Sequence, residues 1–230
     1  MSAFTPDRLF VALDVPSVDE ARTLAQTLLP TGVAFKIGLQ LLPIGGLELA
    51  RELKDQGATV FLDYKLLDIA NTVESAVRSV ASLGVDYLTV HCEPQAVSAA
   101  VRGAKDTGLK LLGVTVLTSY TDKDVQLAGY AHRVNVLVMR KAMNAMTAGF
   151  TGVVAAPREI PMLRERLGQE LEIVTPGIRP AGANADDQAR IATPDSAVKL
   201  GATRLVIGRP ITQAPDPVAA TQAIIANVAG

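Results

Sequence analysis

The chain has 230 residues, 49% of them apolar, and 22 basic against 23 acidic side chains leave a formal net charge of −1. That is enough chain to bury a sizeable core, and with no basic excess it is not built to bind nucleic acid through backbone phosphates. The single cysteine, Cys92, excludes an intrachain disulfide framework, and with only His91 and His132 beside it a structural zinc site has too few ligands.

Short apolar, β-branched runs recur along the whole sequence. They predict strands over residues 9–15, 33–39, 59–65, 87–92, 110–118, 152–156, 172–178 and 204–209. Helical spacing fills the intervals. Over 18–29, Ala21, Leu24, Ala25 and Leu28 fall three and four apart. Over 71–83, Asn71 and Glu74 have the spacing of a capping box, and Val73, Ala76, Val77 and Val80 share one face. Between the fifth and sixth strands two helices are expected, over 122–129 and 133–148, with Met139, Met143 and Met146 as a core stripe. Pro215-Asp216-Pro217 opens a last helix.

Strands that alternate with helices imply parallel pairing, because each return to the sheet needs a crossover. Eight units of about 29 residues match a single (β/α)₈ barrel, and no Gly/Ser-rich linker marks a second domain. An open doubly wound sheet is the alternative. No Gly-x-Gly-x-x-Gly follows the first strand, so a dinucleotide-binding form of it lacks support. No apolar run approaches the ~18 residues of a membrane span. Met1–Arg8 lacks the basic-then-apolar order of a secretory signal, so the cytoplasm is the expected location.

Barrels gather function at the C-terminal strand ends. Here those ends carry Asp14, Lys36, Asp63 and Lys65, with Asp68 just beyond. Alternation gives Asp63 and Lys65 one face and turns Val60 and Leu62 to the other. A purely structural salt-bridge plug is the simpler reading, but burying alternating charges rarely stabilises more than apolar packing does. Three adjacent strand ends charged in this way point to chemistry. The seventh strand runs into Thr175-Pro176-Gly177-Ile178-Arg179 and the eighth into Ile207-Gly208-Arg209-Pro210. Glycine admits close backbone approach and arginine offers a planar fork for phosphate oxygens. The loops after strands seven and eight are the recurrent phosphate site of this fold. His91 reads as a core histidine, His132 as a surface residue and Cys92 as buried and inert.

Taken in order, Leu13-Asp14, Phe35-Lys36-Ile37-Gly38, Asp63-x-Lys65-x-x-Asp68 with Ile69-x-Asn71-Thr72, Thr115–Ser119, Thr175–Arg179, Asp187-Gln188 and Ile207-Gly208-Arg209 resemble the orotidine 5′-phosphate decarboxylases over nearly the full chain. Two positions depart from the family pattern: Leu67 stands where histidine is common and Ala70 where proline is common. The resemblance implies decarboxylation of orotidine 5′-phosphate to UMP, with no cofactor and no metal. It implies that Lys65 stabilises and protonates the C6 carbanion, with Asp63, Asp68 and Lys36 completing the charge network. Asp14 and Lys36 would bind ribose hydroxyls, and Thr118 the pyrimidine. Gln188, Gly208, Arg209 and Arg179 would hold the phosphate, with residues 180–185 as a lid. It also implies a homodimer in which Asp68 and Thr72 reach the partner's site. Two rivals remain: a Mg²⁺-dependent sugar-phosphate enzyme of the same superfamily, and a nucleotide-binding protein without activity.

Overall fold

The computed structural model describes residues 4–179 and 192–229. Eight parallel strands, β1 (Leu9–Ala12), β2 (Ala34–Gly38), β3 (Val60–Leu66), β4 (Tyr87–His91), β5 (Lys110–Val114), β6 (Gly152–Val154), β7 (Glu172–Thr175) and β8 (Arg204–Ile207), pair in sequence order. β8 pairs with β1 and closes the barrel. The fold is therefore the (β/α)₈ barrel that the alternation implied. Most strands are shorter than their apolar runs. Leu13, Val15, Val116 and Ile178 stay buried beyond the last ladder residue. β-branched and apolar composition reports burial, and burial continues after pairing has stopped.

The helices are α1 (Val18–Leu28), α2 (Gly46–Asp55), α3 (Ala70–Ala81), α4 (Pro94–Ala104), α5 (Asp122–Leu127), α6 (Val134–Ala148), α7 (Ile160–Leu167), α8 (Pro194–Leu200), α9 (Arg209–Thr212) and α10 (Pro217–Ala229). Ser17 caps α1 by accepting from the Glu20 N–H. The long β5–β6 connection holds α5 and α6, as expected.

Two local expectations are corrected. Asn71 does not cap α3. The cap position is Ile69, two residues earlier, with no side-chain cap, and the Glu74 carboxylate turns sideways to Arg78 (2.8 Å) and Arg102 of α4 (2.7 Å). The methionines are not the core stripe of α6. The buried face is Val134, Leu137, Val138, Ala142 and Ala145, one residue round the helix; Met139 and Met146 are half-buried at its flank against the core, and Met143 is exposed. Among the described residues no helix is long and apolar enough to cross a membrane.

Strand alternation divides the core into two shells. Leu9, Val11, Phe35, Ile37, Val60, Leu62, Leu88 and Ile173 point outward and pack under the helices. Phe10, Ala34, Phe61, Tyr87, Leu112 and Val174 point inward. The inner shell centres on three rings: Phe10 lies 5.0 Å from Phe61 and 5.3 Å from Tyr87 between centroids. Tilted and edge-on pairs of this kind add ~0.5–1.5 kcal/mol each beyond area burial. One inward step up from those rings, at the C-terminal ends, stand Ala12, Lys36, Asp63, Thr89 and Val114. The aromatic layer thus forms the floor on which the polar residues rest.

Candidate active site

β3 does not run straight into its charged end. Its pairing with β4 joins Leu62 to Leu88 and next Leu66 to Val90, so the ladder breaks between them. Within the break Lys65 takes a left-handed backbone (φ 49°), which is uncommon for a long side chain. Tyr64 packs outward into the helix-facing shell, while Asp63 and Lys65 meet at the barrel mouth. Lys65 Nζ lies 2.8 Å from Asp63 Oδ2, and Lys36 Nζ lies 3.8 Å from the same oxygen. Lys36 Nζ also donates to both Asp14 oxygens, at 3.1 and 3.2 Å. The four charges form one alternating chain, Asp14–Lys36–Asp63–Lys65.

Each member has a structural reason for its place. Lys36 extends from the middle of β2, and its side chain is only 7% exposed. Two residues on, Gly38 leaves the space the ion pair needs: a Cβ there would lie 2.8 Å from Lys36 Nζ and 3.0 Å from Asp14 Oδ1. Asp63 is largely buried, and Thr89 of β4 donates to its Oδ1 at 2.9 Å. Burial pushes the Asp63 carboxyl up, but Lys36, Lys65 and the hydrogen bonds from Lys65 and Thr89 outweigh it, so the carboxyl is held below its ordinary value.

Two cavities open on this chain and share Asp63, Pro176 and Val206. The larger, about 440 Å³, is polar and is bordered by Asp14, Lys36, Gln40, Arg179, Gly208 and Arg209. The smaller, about 150 Å³, is mainly apolar. Phe61, Val114, Val116 and Val154 line it, with Lys65 and Thr118 at its polar edge. A fixed ammonium beside a small apolar pocket can stabilise an anion that forms there and can hand it a proton. The adjoining polar lobe can hold a hydroxylated, anionic tail.

The structure therefore brings together Asp14, Lys36, Asp63, Lys65, Thr118, Arg179, Gly208 and Arg209. It does not bring Asp68 or Thr72 into the same cavity. Both are exposed, and Asp68 Oδ1 accepts from the Ile69 N–H at 2.6 Å. Gln188 and the lid segment 180–185 lie outside the described residues. Reasoning from strand ends missed Gln40, Gly38 and Thr89. Thr89 had a legible signal, since it lies between Tyr87 and His91 on the inward face of β4. His91 is half-buried at the mouth. Burial, then Lys141 and Lys65, lower its pKa against the opposing pull of Glu93.

The family model for the orotidine 5′-phosphate decarboxylase / HUMPS family matches residues 7–224. The chain belongs to this family. It is 50% identical over 223 residues to the orotidine 5′-phosphate decarboxylase of Bradyrhizobium sp. (strain ORS 278), covering 97% of this chain and 92% of that one. Its identity to the enzyme of Rhodopseudomonas palustris (strain BisB5) is also 50%, over 97% and 95% of the two chains. Among solved structures, the orotidine 5′-phosphate decarboxylase from Lactobacillus acidophilus superposes with a TM-score of 0.85 at 34% identity, over 96% of this chain and 99% of that one. An uncharacterized conserved protein from Geobacillus kaustophilus gives 0.84 at 30%, with the same coverage.

Within the family, the two departures at β3–α3 have mild structural consequences. Ala70 is the first residue of α3, a position that suits proline but that alanine fills without cost to the helix. Leu67 is 56% exposed and lines neither lobe of the cavity.

Proposed function

We propose that this chain decarboxylates orotidine 5′-phosphate to UMP and CO₂, in de novo pyrimidine synthesis in the cytoplasm, without a cofactor. The observation that carries the proposal is the Lys36–Asp63–Lys65 relay at the junction of an apolar and a polar cavity. The pyrimidine fits the apolar lobe beside Lys65 and Thr118. The ribose hydroxyls meet Asp14 and Lys36. The phosphate meets Arg209, Gly208 and Arg179.

In the reaction the C6–carboxylate bond breaks heterolytically. CO₂ leaves, and the electron pair stays on C6 in the plane of the ring, where no adjacent π-system can take it. Stabilisation must then come from a fixed positive charge. The Lys65 ammonium supplies that charge and then its proton to C6, and the amine regains a proton from solvent. Asp63 sits where the departing carboxylate is expected. It holds Lys65 in position, 2.8 Å from Nζ, and keeps that ammonium charged. Phosphate binding, remote from C6, supplies energy for closing the site over the ring.

The decisive test is loss of substrate absorbance when purified protein meets orotidine 5′-phosphate, with and without EDTA. Turnover in both arms is expected. A Mg²⁺-dependent sugar-phosphate enzyme would show none on this substrate, and a binding protein would hold UMP without turnover.

We further propose a two-fold homodimer with shared sites. Asp68 and Thr72 are exposed beside the mouth, flanked by Leu67 and by Ile69 at 70% exposure. That is the arrangement expected if they complete a partner's cavity. Lys65→Ala and Asp68→Ala homodimers, each first shown to be inactive and dimeric, are mixed and allowed to exchange. If the site is shared, one site of each hybrid carries neither substitution, and roughly a quarter of all sites regain activity under two-fold symmetry. Exchange seen by mass spectrometry without recovery would rule out the shared site.

A further inference from the structure

We infer that Thr89 is a positioning residue for Lys65, an assignment that rests on the decarboxylase reading of the site. Thr89 is fully buried in the middle of β4. Its hydroxyl accepts from the Lys65 main-chain N–H at 2.9 Å and donates to Asp63 Oδ1 at 2.9 Å. The other oxygen of that carboxylate, Oδ2, meets Lys65 Nζ at 2.8 Å. Lys65 is thus tied to one carboxylate at both of its ends, directly through its ammonium and through the Thr89 hydroxyl at its backbone.

This closed loop lies at the β3–β4 register break, where Lys65 has its left-handed backbone. Such a conformation persists in a long side chain only where its surroundings over-determine it. Thr89 supplies a bond of fixed direction there. A hydroxyl has one proton, and here it goes to Asp63, which leaves a lone pair facing the Lys65 N–H. The same bond orients Asp63. With Oδ1 held by Thr89, Oδ2 is the oxygen left toward Lys65 and Lys36. A misplacement of about 1 Å at a reacting group can cost on the order of 100-fold in rate, so the bond that sets the Lys65 backbone sets the approach of Nζ to C6.

Thr89→Val keeps the branching and size that β4 needs and removes only the hydroxyl, whereas Thr89→Ser keeps it. For Thr89→Val we expect kcat to fall at least about tenfold, with UMP affinity within about twofold of wild type. The acid limb of kcat/KM should move to higher pH, because Asp63 loses a hydrogen bond that favours its charged form. Thr89→Ser should recover most of kcat and the wild-type limb. A loss of folded protein alone would lower the number of UMP sites and leave kcat per site and the pH limb unchanged, and that result would overturn the inference. So would Thr89→Ser as impaired as Thr89→Val.

A crystal structure of Thr89→Val reads the positioning without turnover. Lys65 leaving the left-handed region, or its Nζ parting from Asp63, is expected. Both retained would refute Thr89's role even if the wild type is active. If the wild type fails to turn over orotidine 5′-phosphate while Lys65 moves in the variant, the decarboxylase reading falls and the positioning stands.

Discussion

Both ends of this barrel carry charge networks, and only one has the form of a site. At the N-terminal end Arg204 stacks over Tyr87 and Phe10, with Cζ 5.0 and 5.4 Å from the ring centroids. Its Nε donates to Glu172 at 3.1 Å and its Nη1 to the Asp7 carbonyl at 2.7 Å. Lys110 donates to the Tyr87 hydroxyl at 3.1 Å and lies 3.6 Å from Glu172. These groups face one another and the underside of the aromatic layer, closing the barrel. At the C-terminal end Asp14, Lys36, Asp63 and Lys65 are linked in the same alternating way, but they border open volume on the ligand side. Lys65 meets one carboxylate and keeps donor capacity toward the apolar lobe. The contrast shows that charge at a barrel end does not identify a site. Charge with spare hydrogen-bonding capacity next to a shaped cavity does.

The sharpest way to break this comparison is to remove the group with most spare capacity. Lys65→Ala should lower decarboxylation at least about 10³-fold, because it removes the fixed cation and, in the proposed mechanism, the proton donor. UMP affinity should stay within a few fold, since the lost interaction belongs to the transition state. Stopped assays for turnover and calorimetry for UMP separate the two quantities. Near-normal turnover would return Lys65 to the same structural category as Lys110.

Next in size is Arg209→Ala. Losing a charge-assisted contact to phosphate should cost about 2–4 kcal/mol with orotidine 5′-phosphate. Orotidine without phosphate should react equally well with variant and wild type. Equal losses on the two substrates would mean that Arg209 does not touch phosphate.

The sequence displayed the difference between the two ends unevenly. The upper network was legible because Asp14, Lys36, Asp63 and Lys65 fall at the ends of apolar runs, where alternation and the barrel rule give them a direction. The lower one was not, because Lys110, Glu172 and Arg204 each begin a strand, and charge at a strand start reads as solvated. The left-handed Lys65 was also hidden. Simple alternation gave the right face for Asp63 and Lys65, while the structure reaches it through a register break that no residue type announces. The α3 start was misjudged because Asn71 and Glu74 have capping-box spacing, yet Glu74 finds better partners in Arg78 and Arg102. That choice depends on α4 packing alongside, which lies outside the local pattern.

A smaller effect probes the upper network through pH. The Asp63 carboxyl is held below its ordinary value: burial pushes it up, and the Lys36 ammonium, ahead of Lys65 and Thr89, pulls it down. A depressed folded pKa gives stability that is present above the unfolded value of ~3.9 and is lost as pH falls through the folded one. Wild type should therefore lose the Asp63 contribution only below about pH 4. Lys36→Met removes that cation and leaves burial opposed by Lys65 and Thr89, so the carboxyl is held less far below its ordinary value and the stability lost on acidification should shrink, with its onset still at the unfolded value. Thermal melts from pH 3 to 7 measure that loss. An unchanged acid limb would mean that Lys36 does not control Asp63.

The smallest effect on chemistry is expected at the other end. Glu172→Gln keeps the shape beneath the aromatic layer but removes the negative charge that faces Arg204 and Lys110. Breaking a fully buried ion pair costs ~3–5 kcal/mol. Here the Glu172 and Arg204 side chains are 21% and 14% exposed, and that of Lys110 is 46% exposed. Water can take over part of the lost interaction, and glutamine can still accept from Arg204, so about 1–2 kcal/mol is expected. In a chain of this length that corresponds to a fall in Tm of roughly 2–8 °C. Decarboxylation should stay within about twofold of wild type, because Phe10, Phe61 and Tyr87 stand between Glu172 and the cavity. Urea unfolding followed by circular dichroism gives the stability, and the absorbance assay gives the rate. A tenfold loss of kcat with unchanged stability would show that the two networks are coupled through the aromatic layer, and the lower end could then no longer be treated as a plug.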